Sequence, residues 1–178
     1  ILYINAPRVL FSGQMKYTTI QVGKNTKELS LGQNENVYLV LNDDLKILFD
    51  EADEDVSVLF GDAFQPSSNL TISMNGERAI HVYHDKWKEE SLRLLNLKFD
   101  VKQIIFDGNF GTINSISVIA DSVTSADTFK FLSPAQSTWD IAGDMDWNLE
   151  DADVSFGKSV IHVKGDMNLY GNGTVNLI

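Results

Sequence analysis

Apolar and polar residues alternate most clearly between residues 139 and 149. Positions 139, 141, 143, 145, 147 and 149 are Trp, Ile, Gly, Met, Trp and Leu, and the positions between them are mostly Asp or Asn. A period of two is typical of a β-strand with one buried face and one solvated face. The same alternation returns from residue 161 to 169. The end of the chain is therefore predicted to consist of similar strands.

The two alternating stretches share the tripeptide Gly-Asp-Met, at 143–145 and at 165–167, with a spacing of 22 residues. Stacked coils of a β-solenoid produce such a repeat, because one coil cannot bury its apolar face alone. We predict an all-β fold, a parallel β-solenoid with coils of about 22 residues. An antiparallel β-sandwich is the alternative, since it also gives short alternating strands. One apolar column at this spacing consists of Leu97, Ile119, Ile141 and Val163.

The stretch from residue 66 to 95 breaks the repeat. Asn75-Gly76 is a common hairpin signal, and a turn over 75–77 would pair Ile72 with Ile80 on one face. Residues 84–95 have apolar positions at helical spacing with charged residues between them. These patterns predict a hairpin followed by a short helix.

The domain organisation follows from these patterns. Residues 1–178 have the length and apolar content of a single folded domain. Within it, we interpret 66–95 as an insertion and 96–178 as the clearest solenoid coils.

Composition narrows the functional classes. The chain has 14 Lys and Arg against 25 Asp and Glu, so its net charge is -11. This charge disfavours nucleic acids and anionic membranes as partners. The absence of cysteine excludes disulfides and thiolate zinc ligands. No apolar run is long enough to predict a transmembrane helix. Since the chain starts with Ile1 and has no signal peptide, we expect a mature or excised segment.

Several coils, at residues 2–13, 117–123 and 161–177, resemble those of large bacterial surface exoproteins. The similar families are the filamentous-haemagglutinin-like adhesins and the autotransporter passengers. Their resemblance implies a right-handed parallel β-helix located extracellularly or at the cell surface. It also implies a non-enzymatic role in adhesion or as a rigid stalk, with a host or cell-surface protein or a carbohydrate as partner.

An outward column on the 22-residue register suggests a cation site. Asp144 and Asp166 would lie on adjacent coils, where like charges repel unless they are screened or bridged. Calcium prefers such oxygen ligands, so these two residues are candidate metal ligands, although solvated acidic side chains are the simpler interpretation. No other cofactor is indicated. The full column is Asp100, Ser122, Asp144 and Asp166.

Two alternative functions remain open. A polysaccharide-active β-helix enzyme would need paired carboxylates, which Asp140, Asp144, Asp146 and Asp166 could supply, although we assign no catalytic residue. A periplasmic β-groove lipid carrier would have an open apolar trough lined by Trp139, Met145 and Trp147. Because these three residues lie on the dry face of the alternation, core packing is their expected role.

The remaining candidates are weaker. His81 and His84 with Asp85 could form a transition-metal cluster, but ordinary histidines are favoured because no third ligand is evident at this spacing. Trp87 is a candidate for carbohydrate stacking.

Overall fold

The molecule is a stack of parallel β-strands. In the computed structural model, the described residues are 1–32, 39–41, 43–61, 64–65, 69–84, 95–126, 129–132, 136–150 and 153–177. Within these ranges the regular elements are 22 strands, numbered below in chain order, and no helix. Their strand pairs are parallel throughout. The predicted β-solenoid is confirmed, and the antiparallel sandwich is excluded.

The first sheet runs along the whole stack. Each of its eight strands comes from a successive coil, so the order of strands across the sheet follows the order of coils along the axis. In order across the sheet, the strands are β1 (Leu2–Ile4), β4 (Thr19–Val22), β7 (Leu45–Phe49), β10 (Asn69–Met74), β12 (Asn96–Asp100), β14 (Ser115–Ala120), β17 (Gln136–Ile141) and β20 (Ser159–Val163).

The second sheet follows the first around each coil. Its strands are β2 (Arg8–Phe11), β5 (Glu28–Leu31), β8 (Val56–Phe60), β11 (Ala79–His84), β13 (Gln103–Thr112), β15 (Ser122–Ser125), β18 (Met145–Asn148) and β21 (Met167–Tyr170). Two shorter ladders complete the coils. One contains β3 (Gly13–Met15), β6 (Leu39–Leu41) and β9 (Phe64–Gln65), and the other extends from the end of β13 through β16 (Lys130–Leu132), β19 (Asp153–Gly157) and β22 (Thr174–Leu177).

The coils differ in length. In the first sheet, the step from Leu2 to its neighbour Ile20 is much shorter than the step from Ile20 to its next neighbour, Ile47. The predicted spacing of 22 holds from Trp139 to Ile161. Since strands set the width of a coil and corners absorb extra residues, a solenoid tolerates this variation.

In the predicted apolar column of Leu97, Ile119, Ile141 and Val163, the position of Ile119 is wrong. Ile141 does align with Val163, as the 22-residue register requires. Ile119, however, aligns with Asp140 and is 40% exposed, because the coil between them is one residue shorter than that register. A slip of one residue moves a side chain to the opposite face of its strand.

The predicted hairpin is also wrong. β10 and β11 belong to different sheets, and each pairs in parallel with strands of the coils before and after it. Ile72 aligns with Ile47 and Phe99, so it does not pair with Ile80. Asn75-Gly76 forms a corner between the two sheets. Parallel neighbours satisfy the backbone groups that a hairpin partner would need. Residues 85–94, which carry most of the predicted helix, together with Trp87 and Asp85, lie outside the described residues.

The core is a set of continuous inward columns. One column of the first sheet is fully buried at each of its six internal positions, and only its first and last members are partly exposed. Its members are Leu2, Ile20, Ile47, Ile72, Phe99, Val118, Trp139 and Ile161. Apolar burial along such columns is the main stabilising contribution in a solenoid.

Aromatic rings fill the core of the C-terminal half. Phe106 packs against Trp139 with ring centroids 5.9 Å apart and against Phe129 at 5.4 Å. Trp147 stacks on Phe129 at 5.3 Å. Trp139, Met145 and Trp147 are fully buried, which confirms their predicted core role. These three side chains therefore do not line an open trough.

Candidate functional site

Charged residues concentrate on one edge of the solenoid. We define the first corner as the set of segments that join the first sheet to the second, namely residues 5–7, 23–27, 50–55, 75–78, 101–102, 121, 142–144 and 164–166. These segments contain nine Asp or Glu residues and five Lys or Arg residues. Five of the nine acidic residues lie in 50–55, whereas 5–7 and 23–27 contain two lysines and no acidic residue. Negative charge on the first corner is therefore concentrated in its third segment.

Asp144 and Asp166 meet at this corner, as predicted. The Asp144 carboxylate accepts a hydrogen bond from the backbone N–H of Asp166, with Oδ1 and N 2.9 Å apart. Asp144 therefore satisfies a backbone donor of the next coil. This contact gives the pair a structural role, since a corner leaves backbone donors outside the strand ladders.

The glycines before these two aspartates allow the corners to stack. Gly165 N–H donates to the carbonyl of Gly143 at 3.0 Å, and Gly143 N–H donates to the carbonyl of Asp121 at 2.7 Å. A Cβ at position 165 would lie 2.7 Å from the Gly143 carbonyl oxygen, and one at position 143 would lie 2.6 Å from that of Asp121. The repeated Gly-Asp pair is thus explained by close backbone approach.

Hydrogen bonds of the same kind, from a backbone N–H to an Asn or Asp side chain of the preceding coil, recur along the first corner. Asn5 Oδ1 accepts from the backbone N–H of Asn25 at 3.1 Å, and Asp55 Oδ1 accepts from that of Ala79 at 3.0 Å. In each case an Asn or Asp of one coil binds the next coil. Sequence reasoning missed these contacts, because the donor is a backbone N–H and its residue can be of any type, as Ala79 is.

Not all of the predicted acidic column exists. Asp100 lies in the first sheet and aligns with Ser73 and Ile119, whereas Ser122 lies in the second sheet opposite Gln103. Asp100 is therefore not on the column of Asp144, because the coil that follows Asp100 is shorter than the predicted register requires. Ser122 keeps the predicted spacing of 22 from Asp144, since the residues that follow them, Val123 and Met145, are paired. Over the described ranges, no group of three or more His, Cys, Asp or Glu side chains comes together to hold a metal ion. Calcium binding at Asp144 and Asp166 stays a prediction.

One groove, which we call groove 1, lies at the N-terminal end of the first corner. It has a volume of about 770 Å³ and combines an exposed aromatic ring, an amide, two basic groups and four carboxylates. Gln21 Nε2 donates to Asp50 Oδ1 at 3.1 Å and holds this carboxylate on the groove wall. The lining residues are Tyr3, Asn5, Lys24, Asp50, Glu51, Ala52, Asp53, Glu77 and Arg78.

A second groove, groove 2, lies further along the same corner. It has a volume of about 320 Å³ and brings Asp100, Asp121 and Asp140 together with Lys102 and Lys164. Lys102 Nζ lies 3.1 Å from Asp121 Oδ2. The hydrogen bond and the charge of Asp121 raise the pKa of Lys102 above its ordinary value, so this lysine is protonated at neutral pH.

The other predicted carboxylates are dispersed. Asp146 lies on the second sheet, where its Oδ1 accepts from Asn168 Nδ2 at 2.8 Å. Asp140 lies on the first sheet, on the other side of the corner. Sequence reasoning did not identify groove 1 or groove 2, since their lining residues come from three or more coils and share no local motif.

The two histidines do not form a metal site together. His81 faces outward, with Nε2 3.4 Å from Asp107 Oδ2. His84 is fully buried, its Nδ1 hydrogen-bonds to the backbone oxygen of Asn109, and its ring lies 5.8 Å from that of Phe110. Residues three apart on a strand point to opposite faces, which explains the separation.

Comparison of the chain with protein-family models, with curated proteins and with solved structures finds no match. In the part of the chain that the structure describes, no helix has the length and apolar character needed to cross a membrane.

Proposed function

We propose that this chain is a non-enzymatic segment of an exported bacterial surface protein that acts in adhesion or as a rigid stalk. The observation that supports this proposal best is the unbroken first sheet of eight parallel strands. Seven ladder spacings of about 4.8 Å give it a length of about 34 Å along the axis. A stack of coils with a continuous core resists bending, which is what a stalk requires.

Groove 1 is the proposed adhesive surface. Tyr3 is 60% exposed, and such a ring can stack on the apolar face of a sugar or on an aliphatic side chain. The surrounding carboxylates, amide and basic groups can hydrogen-bond to hydroxyl groups or to a peptide. A carbohydrate or a protein of a host or cell surface fits this chemistry.

The adhesion proposal is tested by measuring binding of the labelled protein to immobilised glycans and to cell-surface extracts. The groove variant combines Tyr3→Ala with Arg78→Ala. Tyr170→Ala is the matched control, because Tyr170 is 57% exposed but lies on the last coil, far from groove 1. Loss of binding in the groove variant with retention in the control supports the proposal. Equal binding by all three proteins contradicts groove 1 as the adhesive surface.

A polysaccharide-active enzyme is the second candidate, and groove 2 is the observation that favours it. Its three aspartates and two lysines provide both acidic and basic groups within one groove. Asp140 and Lys164 would then be the acid-base groups, since Lys102 is engaged by Asp121. The test is the release of reducing ends or unsaturated products from acidic and neutral polysaccharides. Activity that Asp140→Asn removes and Asp146→Asn retains would establish the enzyme, and inactivity of the folded protein on every polysaccharide would exclude it.

The predicted calcium site has its own test. Titration calorimetry with Ca²⁺ compares the native chain with Asp166→Asn, and Asp146→Asn serves as the control. Heat of binding that only Asp166→Asn abolishes would establish the site, whereas an absence of heat in the native chain would exclude it.

A further inference from the structure

Asp100, Ile119 and Asp140 form an outward row on the first sheet, and all three line groove 2. Asp100 aligns with Ile119, and Ile119 aligns with Asp140, so the row crosses three successive coils. The three side chains are exposed, and Ile119 is 40% exposed although it is apolar. Along the axis of the solenoid, an apolar side chain is thus flanked by a carboxylate on each side.

The two carboxylates of this row are available to a ligand. Among the described residues, neither Asp100 nor Asp140 has a hydrogen-bond or ion-pair partner. The charge of Lys102 is balanced by Asp121, whose Oδ2 lies 3.1 Å from its Nζ. The remaining charged groups of groove 2 are therefore two carboxylates and one ammonium group, that of Lys164. Charge complementarity favours a cationic ligand in this groove.

The spacing of the row fits a ligand that repeats. Neighbouring strands of a ladder lie about 4.8 Å apart, so Asp100 and Asp140 are separated by about 10 Å along the axis. In an extended, β-linked sugar chain, one pyranose ring has about the length of one ladder spacing, and each ring is turned over relative to the next. Amino groups on every second ring therefore point to the same side, at about the separation of these two carboxylates. The ring between them can pack its C–H groups on Ile119.

The row leads from groove 2 towards groove 1. On the outward face, Asp100 aligns with Ser73, and Ser73 aligns with Leu48. Asn75 lines groove 2, and Glu77 of the same corner segment lines groove 1. Since both grooves border this segment, a chain that is bound in groove 2 can extend along the axis over further coils.

We propose that groove 2 binds a linear, β-linked polymer of amino sugars, which lies along the axis with one ring on each coil. Two protonated amino groups, on the first and third of three consecutive rings, bind the carboxylates of Asp100 and Asp140, and the middle ring packs on Ile119. This inference rests on the proposal that groove 2 takes a polysaccharide, and it names the class of polysaccharide. It requires binding without cleavage and does not depend on the adhesive role of groove 1.

Titration calorimetry of the full chain measures the binding of glucosamine oligomers of the chitosan type, from one ring to six rings, at a pH at which their amino groups are protonated. The N-acetylated oligomers are the matched neutral ligands, and oligomers of lysine are cationic ligands that contain no sugar.

The variants are Asp100→Asn, Asp140→Asn and Ile119→Ser, all at exposed positions. Asp146→Asn is the matched control, because Asp146 lies on the second sheet and does not line groove 2. Circular dichroism verifies that each variant is folded.

We expect affinity to rise about tenfold or more between two rings and three, because three rings are the shortest chain that reaches both carboxylates. Asp100→Asn and Asp140→Asn should each weaken binding of the three-ring oligomer about tenfold and remove the gain from the third ring. Ile119→Ser should weaken binding by a smaller factor, and Asp146→Asn should bind as the native chain does. The N-acetylated oligomers, which have no charged amino group, should bind at least about tenfold more weakly.

Three results would overturn the proposal. They are a folded native chain that binds no glucosamine oligomer, binding that neither Asp100→Asn nor Asp140→Asn weakens, and lysine oligomers that bind as tightly as glucosamine oligomers of the same length. The calorimeter samples are then analysed for shorter sugar products. Binding without cleavage supports the inference and contradicts the enzyme, whereas binding with cleavage supports both. Absence of binding overturns the inference without bearing on groove 1, which the Tyr3 and Arg78 substitutions test.

Discussion

The side-chain amide of Asn96 donates to Oδ1 of Asn69, directly below it in the first sheet, with the two atoms 3.0 Å apart. This hydrogen bond belongs to a series of side-chain hydrogen bonds, here called the ladder, which joins successive coils where the chain enters this sheet. Asn69 Nδ2 donates to Asp44 Oδ1 at 2.9 Å, and Asn114 Nδ2 donates to Asn96 Oδ1 at 2.7 Å. Four successive coils are thereby connected through side chains as well as through the backbone.

Removing the centre of this ladder should destabilise the protein. Asn96→Ala deletes the hydrogen bonds of this side chain with Asn69, Asn114 and the Ser115 hydroxyl. We expect the free energy of unfolding to fall by about 1 to 2 kcal/mol, since hydrogen bonds that are exposed or only partly buried contribute little each. Asn75→Ala is the control, because Asn75 is an exposed corner residue whose side chain has no hydrogen bond to a described residue. Urea unfolding measures both, and equal stability of the two variants would contradict a stabilising ladder.

The base of the ladder should respond to acid. The side-chain and backbone hydrogen bonds from Asn69 lower the pKa of Asp44 below its ordinary value. A carboxylate with a lowered pKa in the folded state stabilises the fold above its unfolded pKa, and this contribution is lost as the pH falls through the folded value. Asp44→Asn should therefore reduce the fall in Tm between neutral pH and about pH 3. Asp43→Asn, one residue earlier and also exposed, is the matched control, and an equal effect of the two substitutions would contradict the role assigned to Asp44.

A glycine in the second sheet should not accept a side chain. Gly108 has φ of 82°, and a Cβ there would overlap the His84 carbonyl oxygen. Gly13 has a similar φ of 78° with nothing within 4 Å of the added atom. Gly13→Ala should cost about 1 to 2 kcal/mol from backbone strain alone. Gly108→Ala should cost clearly more, and thermal unfolding of both variants would reveal whether the close contact adds to the strain.

Neighbouring substitutions on one strand should behave in opposite ways. Met145→Asp places an unpaired charge in the core, which should cost about 4 kcal/mol or more and unfold the segment cooperatively. Asp146→Lys changes an outward side chain and removes only its hydrogen bond with Asn168, so it should cost about 1 kcal/mol or less. Circular dichroism during heating compares them. Similar losses of stability would mean that the inward and outward faces of β18 are assigned incorrectly.

Alternation predicted the strands well because burial repeats with a period of two wherever one face is covered. This period alone predicts that Trp139, Met145 and Trp147 lie in the core, and all three are fully buried. The 22-residue spacing predicted the alignment of neighbouring coils less well, because corners vary in length from coil to coil. The spacing of 22 consequently predicts the wrong face for Ile119. Asn75-Gly76 predicts a hairpin turn, whereas in the structure it forms a corner.

The candidate site was harder to predict, since it depends on contacts between coils. Asp144 and Asp166 could be placed together because the coil between them has the regular length that the Gly-Asp-Met repeat indicates. The bond from Asp166 N–H to Asp144 Oδ1 could not be inferred, because it depends on the path of the backbone at the corner. Tyr3 and Arg78 line one groove although they are far apart in sequence, and no local pattern relates them.

The parallel ladders that connect the coils determine how the molecule responds to tension between its ends. Their hydrogen bonds run along the axis, so an axial load acts on all strands of one coil at once, and that coil detaches as a unit. A detached coil of about 22 residues can extend to about 75 Å, whereas in the stack it occupies about 4.8 Å. Under load the chain would therefore lengthen in discrete increments, one coil at a time, while the remaining coils keep their structure.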